Sequence, residues 1–279
     1  MKLCVETGTF SRLSLEEALA GIQQAGYRHV ELNPDLFKPH QASAQDISRL
    51  RRLLDDTGLH PAAVLPVYVI ATPDETRRRE AVEDWKRAIH ASRALGAEAL
   101  TAEMTTDRSQ PPAACRAAFL KSVEELIPML QQAGLRLSFE CHPGHFIERS
   151  NEGVDLIREI GSPLVRYLYC MPHTFYLGDD PAAMIRYAGE MLAHVHVGDT
   201  YRPERIIQAG ENGRPHLHAI PGWGEVDFRA SLEALKEIGY GGYLSMALFS
   251  HVDSPVSAVR EARLRIESLL ADLGIALDG

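Results

Sequence analysis

"KLCVETGTFSRLSLEEALAGIQQAGYRHVELN", residues 2 to 33, holds an apolar run, a polar turn, an amphipathic stretch and a second apolar run. Ser14 and Glu17 stand in capping-box spacing and open a helix that Gly26 stops. The flanking "KLCVET" and "HVELN" read as short strands. Strand, helix, strand in this order is a parallel unit, because a chain that returns to the same sheet edge in the same direction needs a crossover.

Outward from this unit the pattern recurs. Further helical stretches run from about Asp46 to Gly58, Asp74 to Gly96, Pro112 to Gly134, Asn151 to Gly161, Asp180 to Gly189, Asp227 to Gly239 and Pro255 to Gly274, which makes eight with the first. "AAVLPVYVI", "EALTAEM", "RLSFECH", "VRYLYC", "LAHVHVGD" and "GYLSMALF" bring the strands to eight, and a helix follows each. Eight such units in roughly 250 residues predict an α/β fold, a single (β/α)8 TIM barrel. A doubly wound open sheet is the rival, but no glycine-rich phosphate turn follows the first strand. No shift in composition marks a second domain, so residues 1–279 read as one.

One connection stands out. Residues 200–225, "TYRPERIIQAGENGRPHLHAIPGWGE", separate the seventh strand from its helix by far more than the ~2 to 6 residues usual for such a loop. Long βα loops lie over the barrel mouth, where its chemistry sits. Arg202, Arg205, Arg214, His216, His218 and Trp223 are its candidate ligand contacts. Packing on a neighbouring subunit of a homo-oligomer is the alternative use.

The chain is 45% hydrophobic and 24% charged, an ordinary globular composition. A formal net charge of -9 speaks against a basic footprint for nucleic-acid phosphates. The cluster "ETRRRE", residues 75–80, is flanked by acids and reads as a solvated helix face. No apolar run reaches the roughly 18 residues of a membrane span, so no membrane partner is expected. The opening residues lack an apolar leader core, and Cys4, Cys115, Cys141 and Cys170 show no CxxC spacing. Reduced thiols and a cytoplasmic location are therefore expected, with a small molecule as partner.

Functional side chains of a barrel come from the C-terminal ends of its strands. In the fifth strand Glu140 and His142 share a parity, while Cys141 turns to the helices. The sixth ends at Cys170, with His173 three residues on. In the seventh, His194 and His196 share a face, and Asp199 follows as a partner for His196 or for the long loop. The eighth turns Ser245, Ala247 and Phe249 inward. A carboxylate in an apolar strand is costly to bury without a partner, which marks Glu140. Imidazoles can donate or accept protons near neutral pH, which adds His142, His173 and His196. His194 reads as structural and Cys170 as an inert thiol. Glu6, Glu31 and Glu103 lie near other strand ends and join Arg202, His218 and Trp223 as candidate substrate contacts.

The order "ETGTF", "HVEL", "LSFECHPG", "YCMPHTFYLG", "HVHVGDT", "PGWGEVDF" and "EIGYGGYLSMAL" resembles the xylose-isomerase-like barrel family of sugar isomerases and epimerases. Inosose dehydratases and ketose 3-epimerases belong to that family. The similarity runs along almost the whole chain and is most specific from "LSFECHPG" onward. It implies a divalent metal held by Glu, Asp, His and Glu at the ends of strands five to eight, with the two glutamates moving a proton beside a carbonyl. Position by position, the first glutamate falls on Glu140, the aspartate on Cys170, the histidine on His196 and the last glutamate on Ala247. His173, of the aspartate's motif, is retained.

Two of the four ligands are thus absent. Magnesium and manganese want hard oxygen donors in near-octahedral array, so no conventional metal cofactor is expected. The leading expectation is a divergent isomerase or lyase acting on a small polyhydroxylated or carbonyl substrate. Proton transfer falls to Glu140, His196, His142 and His173. Without a carboxylate at position 247, isomerisation, elimination or cyclisation survives better than symmetric two-base epimerisation. Two alternatives stand beside this reading. One is a rebuilt zinc or manganese site on Glu140, Cys170 and His196, or with His142 or His173 beside Glu140 and His196. The other is a non-catalytic small-molecule-binding or scaffold protein on the same barrel. The endonuclease branch of the superfamily needs a basic DNA-binding face and a carboxylate-rich cluster, and the sequence has neither.

Overall fold

The computed structural model describes residues 1–205 and 216–278, so Arg214 lies outside the described residues. Eight parallel strands close into a barrel: β1 (Lys2–Glu6), β2 (His29–Leu32), β3 (His60–Val64), β4 (Ala99–Glu103), β5 (Arg136–Glu140), β6 (Val165–Cys170), β7 (Leu192–Val197) and β8 (Tyr243–Met246). β1 pairs with β8 from Lys2↔Tyr243 to Val5↔Met246, which shuts the sheet. The helices are α1 (Leu15–Gln24), α2 (Ala44–Thr57), α3 (Glu75–Leu95), α4 (Pro112–Ala133), α5 (Ser150–Ile160), α6 (Met171–Tyr176), α7 (Pro181–Ala188), α8 (Phe228–Glu237) and α9 (Pro255–Asp272).

Local signals start and stop these elements. Ser14 N–H donates to Glu17 Oε2 at 2.9 Å and Glu17 N–H to Ser14 Oγ at 3.3 Å, the reciprocal box that fixes the start of α1. α2 repeats the device with Ser43 and Asp46. It ends at Gly58 with φ 64°, a left-handed turn that a side chain would resist.

Three elements differ from the periodic reading. The apolar run at residues 62–70 is strand only as far as Val64, because Pro66 has no N–H to give a ladder. A short helix, α6, begins directly after β6, with Pro172 in its first turn where a missing N–H costs nothing. β8 ends at Met246, although Ala247 N–H still donates to Val197 O at 3.0 Å.

The two faces of the sheet divide by chemistry. Val5, Val30, Leu100, Leu137, Phe139, Tyr167, Val195 and Leu244 join the main hydrophobic core with the helices. The opposite parity carries Glu31, Thr101, Ser138, Glu140, His194, His196 and Ser245, all buried. An interior this polar persists only if its groups bond one another. Among the described residues, no helix is long and apolar enough to cross a membrane.

Candidate active site

Strand register sets Glu6 beside Glu31 and Glu103 beside Glu140 at the C-terminal rim. Their side chains then part. Glu31, fully buried, accepts from His194 Nε2 at 3.0 Å, His196 Nε2 at 3.1 Å, Ser245 Oγ at 2.7 Å and Thr101 Oγ1. Glu140 Oε2 lies 3.2 Å from His196 Nδ1 and 3.8 Å from His173 Nδ1, in hydrogen-bond geometry with neither. A carboxylate therefore faces each nitrogen of His196. Burial opposes its charge, but Glu31 and Glu140 outweigh burial and raise its pKa well above the ordinary histidine value. Burial likewise opposes the charge of Glu31, and His196 with His194 overcomes it and holds the carboxyl well below the usual range.

Beyond the strand ends lies a second layer made of imidazoles. His142 and His145 sit in the turn after β5, His173 in α6, and His216 and His218 in the long loop. Ring centroids of His173 lie 4.3 Å from His142, 4.4 Å from His216 and 5.0 Å from His218. His218 Nδ1–H donates to Ala247 O at 2.9 Å, and its Nε2 lies 3.1 Å from His173 Nε2. His142 Nδ1–H donates to Pro143 O at 2.8 Å. Burial first, then His142 and His216, lower the pKa of His173 and keep that ring neutral.

The expected site residues are thus only partly gathered. Glu140, His142, His173, His196 and His218 converge. Glu31 sits beneath them as the centre of the network rather than at its rim. Glu103 meets His145 at 3.4 Å on the outer side, while Glu6 turns back on its own chain and accepts from Gly8 N–H at 3.1 Å. The Arg202 guanidinium stacks 3.7 Å from the Phe175 ring centroid and donates to the Phe175 carbonyl at 2.7 Å. Trp223 is not brought in: 48% exposed, it donates to Glu261 at 3.0 Å on α9. Asp199 serves the loop and not His196, accepting from the backbone N–H groups of Thr200, Gly222, Gly224 and Val226. Cys141 faces the helices, its thiol 3.3 Å from Arg149 O. Two members of the site went unmarked in the sequence. Thr101 shares strand parity with Glu103, and His145 repeats His142 within "HPGH"; those were the available signals.

Of the four positions that hold a divalent metal by resemblance, two lack the expected carboxylate here. Ala247 has no donor atom. Burial, then Glu140, pushes the Cys170 thiol up to about 12. One atom each of Glu140, Cys170 and His196 lies within 4.8 Å of the others, with Glu140 beside Nδ1 of His196 and Glu31 beside its Nε2.

A (β/α)8 barrel with a buried carboxylate–imidazole centre at its C-terminal mouth is the layout of a barrel enzyme. The xylose isomerase-like TIM barrel family matches residues 19–269, and the chain belongs to that family. Inosose isomerase of Bacillus velezensis is 22% identical over 253 residues, covering 89% of each chain. Fructoselysine 3-epimerase of Shigella flexneri is 22% identical over 285 residues, covering 96% of this chain and 99% of its own. A crystal structure of an IOLI protein with a binding zinc atom shares the fold with a TM-score of 0.82, at 20% identity over 98% of this chain and 99% of that one. An isomerase class is consistent with the names of these relatives.

Proposed function

We propose that the protein moves a proton on a small polyhydroxylated or carbonyl-bearing substrate of sugar or cyclitol type, without the family's usual divalent metal. Glu140 is the base, His142 and His173 face the substrate oxygens, and His196, with a carboxylate at each nitrogen, acts through its charge. One observation carries this reading: Glu140 Oε2 is buried between two imidazole nitrogens, 3.2 and 3.8 Å away, with a hydrogen bond to neither. A carboxylate oxygen in that position is ready to take a proton from carbon. His196, charged between Glu31 and Glu140, supplies positive charge against a developing enolate oxygen. Glu103, Arg202 and His218 are the proposed hydroxyl contacts, and Glu31 positions His196. A single base favours isomerisation, elimination or cyclisation over two-base epimerisation. The names of the relatives support the substrate class.

A second reading, a binding protein without turnover, draws support from closure of the site. Glu140 and His196 are each 2% exposed and His173 is 3% exposed. The deciding experiment incubates the protein in D2O with a panel of ketoses and inososes and follows carbon-bound deuterium by NMR. Wild-type exchange that disappears in Glu140→Gln supports proton transfer; exchange that survives the substitution refutes Glu140 as the base, and binding without exchange favours the second reading. A cytoplasmic location is proposed because all four cysteines are free and buried.

A further inference from the structure

The imidazole layer above Glu140 packs the rings of His142, His216 and His218 around that of His173. We propose that His142, His173 and His216 form a binding site for a borderline divalent cation of the zinc class, displaced outward from the position the family resemblance implies. One ring nitrogen from each lies within 4.8 Å of the other two.

Backbone carbonyls fix the tautomers. A carbonyl carries no proton, so His218 donates from Nδ1 to Ala247 O, and in the neutral ring Nε2 keeps the lone pair. That lone pair accepts the proton of His173 Nε2, 3.1 Å away. His173 Nδ1 is then a lone pair too, buried, without a hydrogen bond and 3.8 Å from Glu140 Oε2. His142 is set in the same manner: donation from Nδ1 to Pro143 O leaves the lone pair of the neutral ring on Nε2. Imidazoles anchored through one nitrogen with the other bare are the arrangement that orients metal-binding histidines. The His216 ring completes the set, 4.4 Å from His173 and 5.5 Å from His142.

Three neutral nitrogens suit zinc and its neighbours rather than magnesium or manganese. Three protein ligands also leave a fourth position for water or a substrate oxygen. A cation there would take over the oxygen-polarising role of the imidazoles.

The test uses the chelator-stripped full chain, titrated with zinc sulfate in a calorimeter and with cobalt(II) in a visible spectrometer. One equivalent is expected to bind. Cobalt should show four-coordinate ligand-field bands and no thiolate charge-transfer band. His142→Ala and His216→Ala should each weaken zinc binding at least tenfold with unchanged circular dichroism, and Cys170→Ser should bind as the wild type does. Absence of saturable uptake by the wild type overturns the site. So does uptake that Cys170→Ser abolishes and the two histidine variants leave intact, which would place the cation at Glu140, Cys170 and His196. Turnover is read in no arm, so failure of the proposed reaction leaves this test standing.

Discussion

Nε2 of His196 lies 3.1 Å from Oε2 of Glu31, where Glu31 is fully buried and His196 is 2% exposed. Coulomb attraction alone does not hold a pair so deep, because desolvation offsets much of it. Saturation of the carboxylate by Thr101, Ser245 and His194 makes up the difference.

Removing one partner leaves the other charge buried. Glu31→Ala is expected to cost about 3–5 kcal/mol of stability by urea unfolding, and Glu31→Gln, which preserves shape, less. A cost under about 1 kcal/mol for Glu31→Ala would show that the pair is not ionised.

The same pair sets a pH window. His196 has a raised pKa, so its contribution is complete below the unfolded value of about 6.5 and is lost as pH climbs through the folded value. Glu31 has a depressed pKa, so its contribution is complete above the unfolded value of about 4.3 and is lost as pH falls through the folded one. Stabilisation by the pair is expected to be greatest between those limits. The difference in Tm between wild type and Glu31→Gln, followed against pH, should therefore peak there; a flat difference contradicts the assignment.

Catalytic roles separate in kinetics. With a substrate in hand, Glu140→Gln should lower kcat by about 10²–10⁴, the usual worth of a positioned base. His196→Gln should lower it by about 10²–10³ with little change in KM, as loss of a preorganised charge does. His194→Gln is expected to reduce stability more than turnover, since His194 bonds Glu31 and not Glu140. Equal kinetic losses in His194→Gln and His196→Gln would undo this division.

The loop over the mouth hangs on Asp199. Asp199→Ala removes the acceptor for four backbone N–H groups, each worth about 1 kcal/mol. Hydrogen exchange should show Gly222, Gly224 and Val226 deprotected while the strands stay protected. Gly224→Ala should do the same, because a Cβ there collides with the Asp199 carboxylate and the Thr200 carbonyl oxygen. Uniform loss of protection would mean that Asp199 supports the whole barrel.

Much of this architecture was legible in the chain. Capping pairs such as Ser14 with Glu17, glycine stops such as Gly58, and the alternation that sets Glu140 against Cys141 are local, acting over a few residues. They determined the count and order of the units, the parity of each strand, and the placing of Glu140 and His196 at the mouth. Pro66 and Pro172 carried signals for the short third strand and the extra helix, but the continuous apolar run around the first masked its effect.

Tertiary structure alone decided what those side chains became. Glu31 meets His196 across 165 positions of sequence, and His218 reaches His173 across 45. Periodicity could turn Glu31 inward but could not say that two histidines, a serine and a threonine would share its carboxylate. Nor could it say that Trp223 would face outward while its loop neighbour His218 closed over the site. Such outcomes depend on barrel closure, which brings distant strands to one axis. There each buried charge must find its partners among whatever the other strands supply.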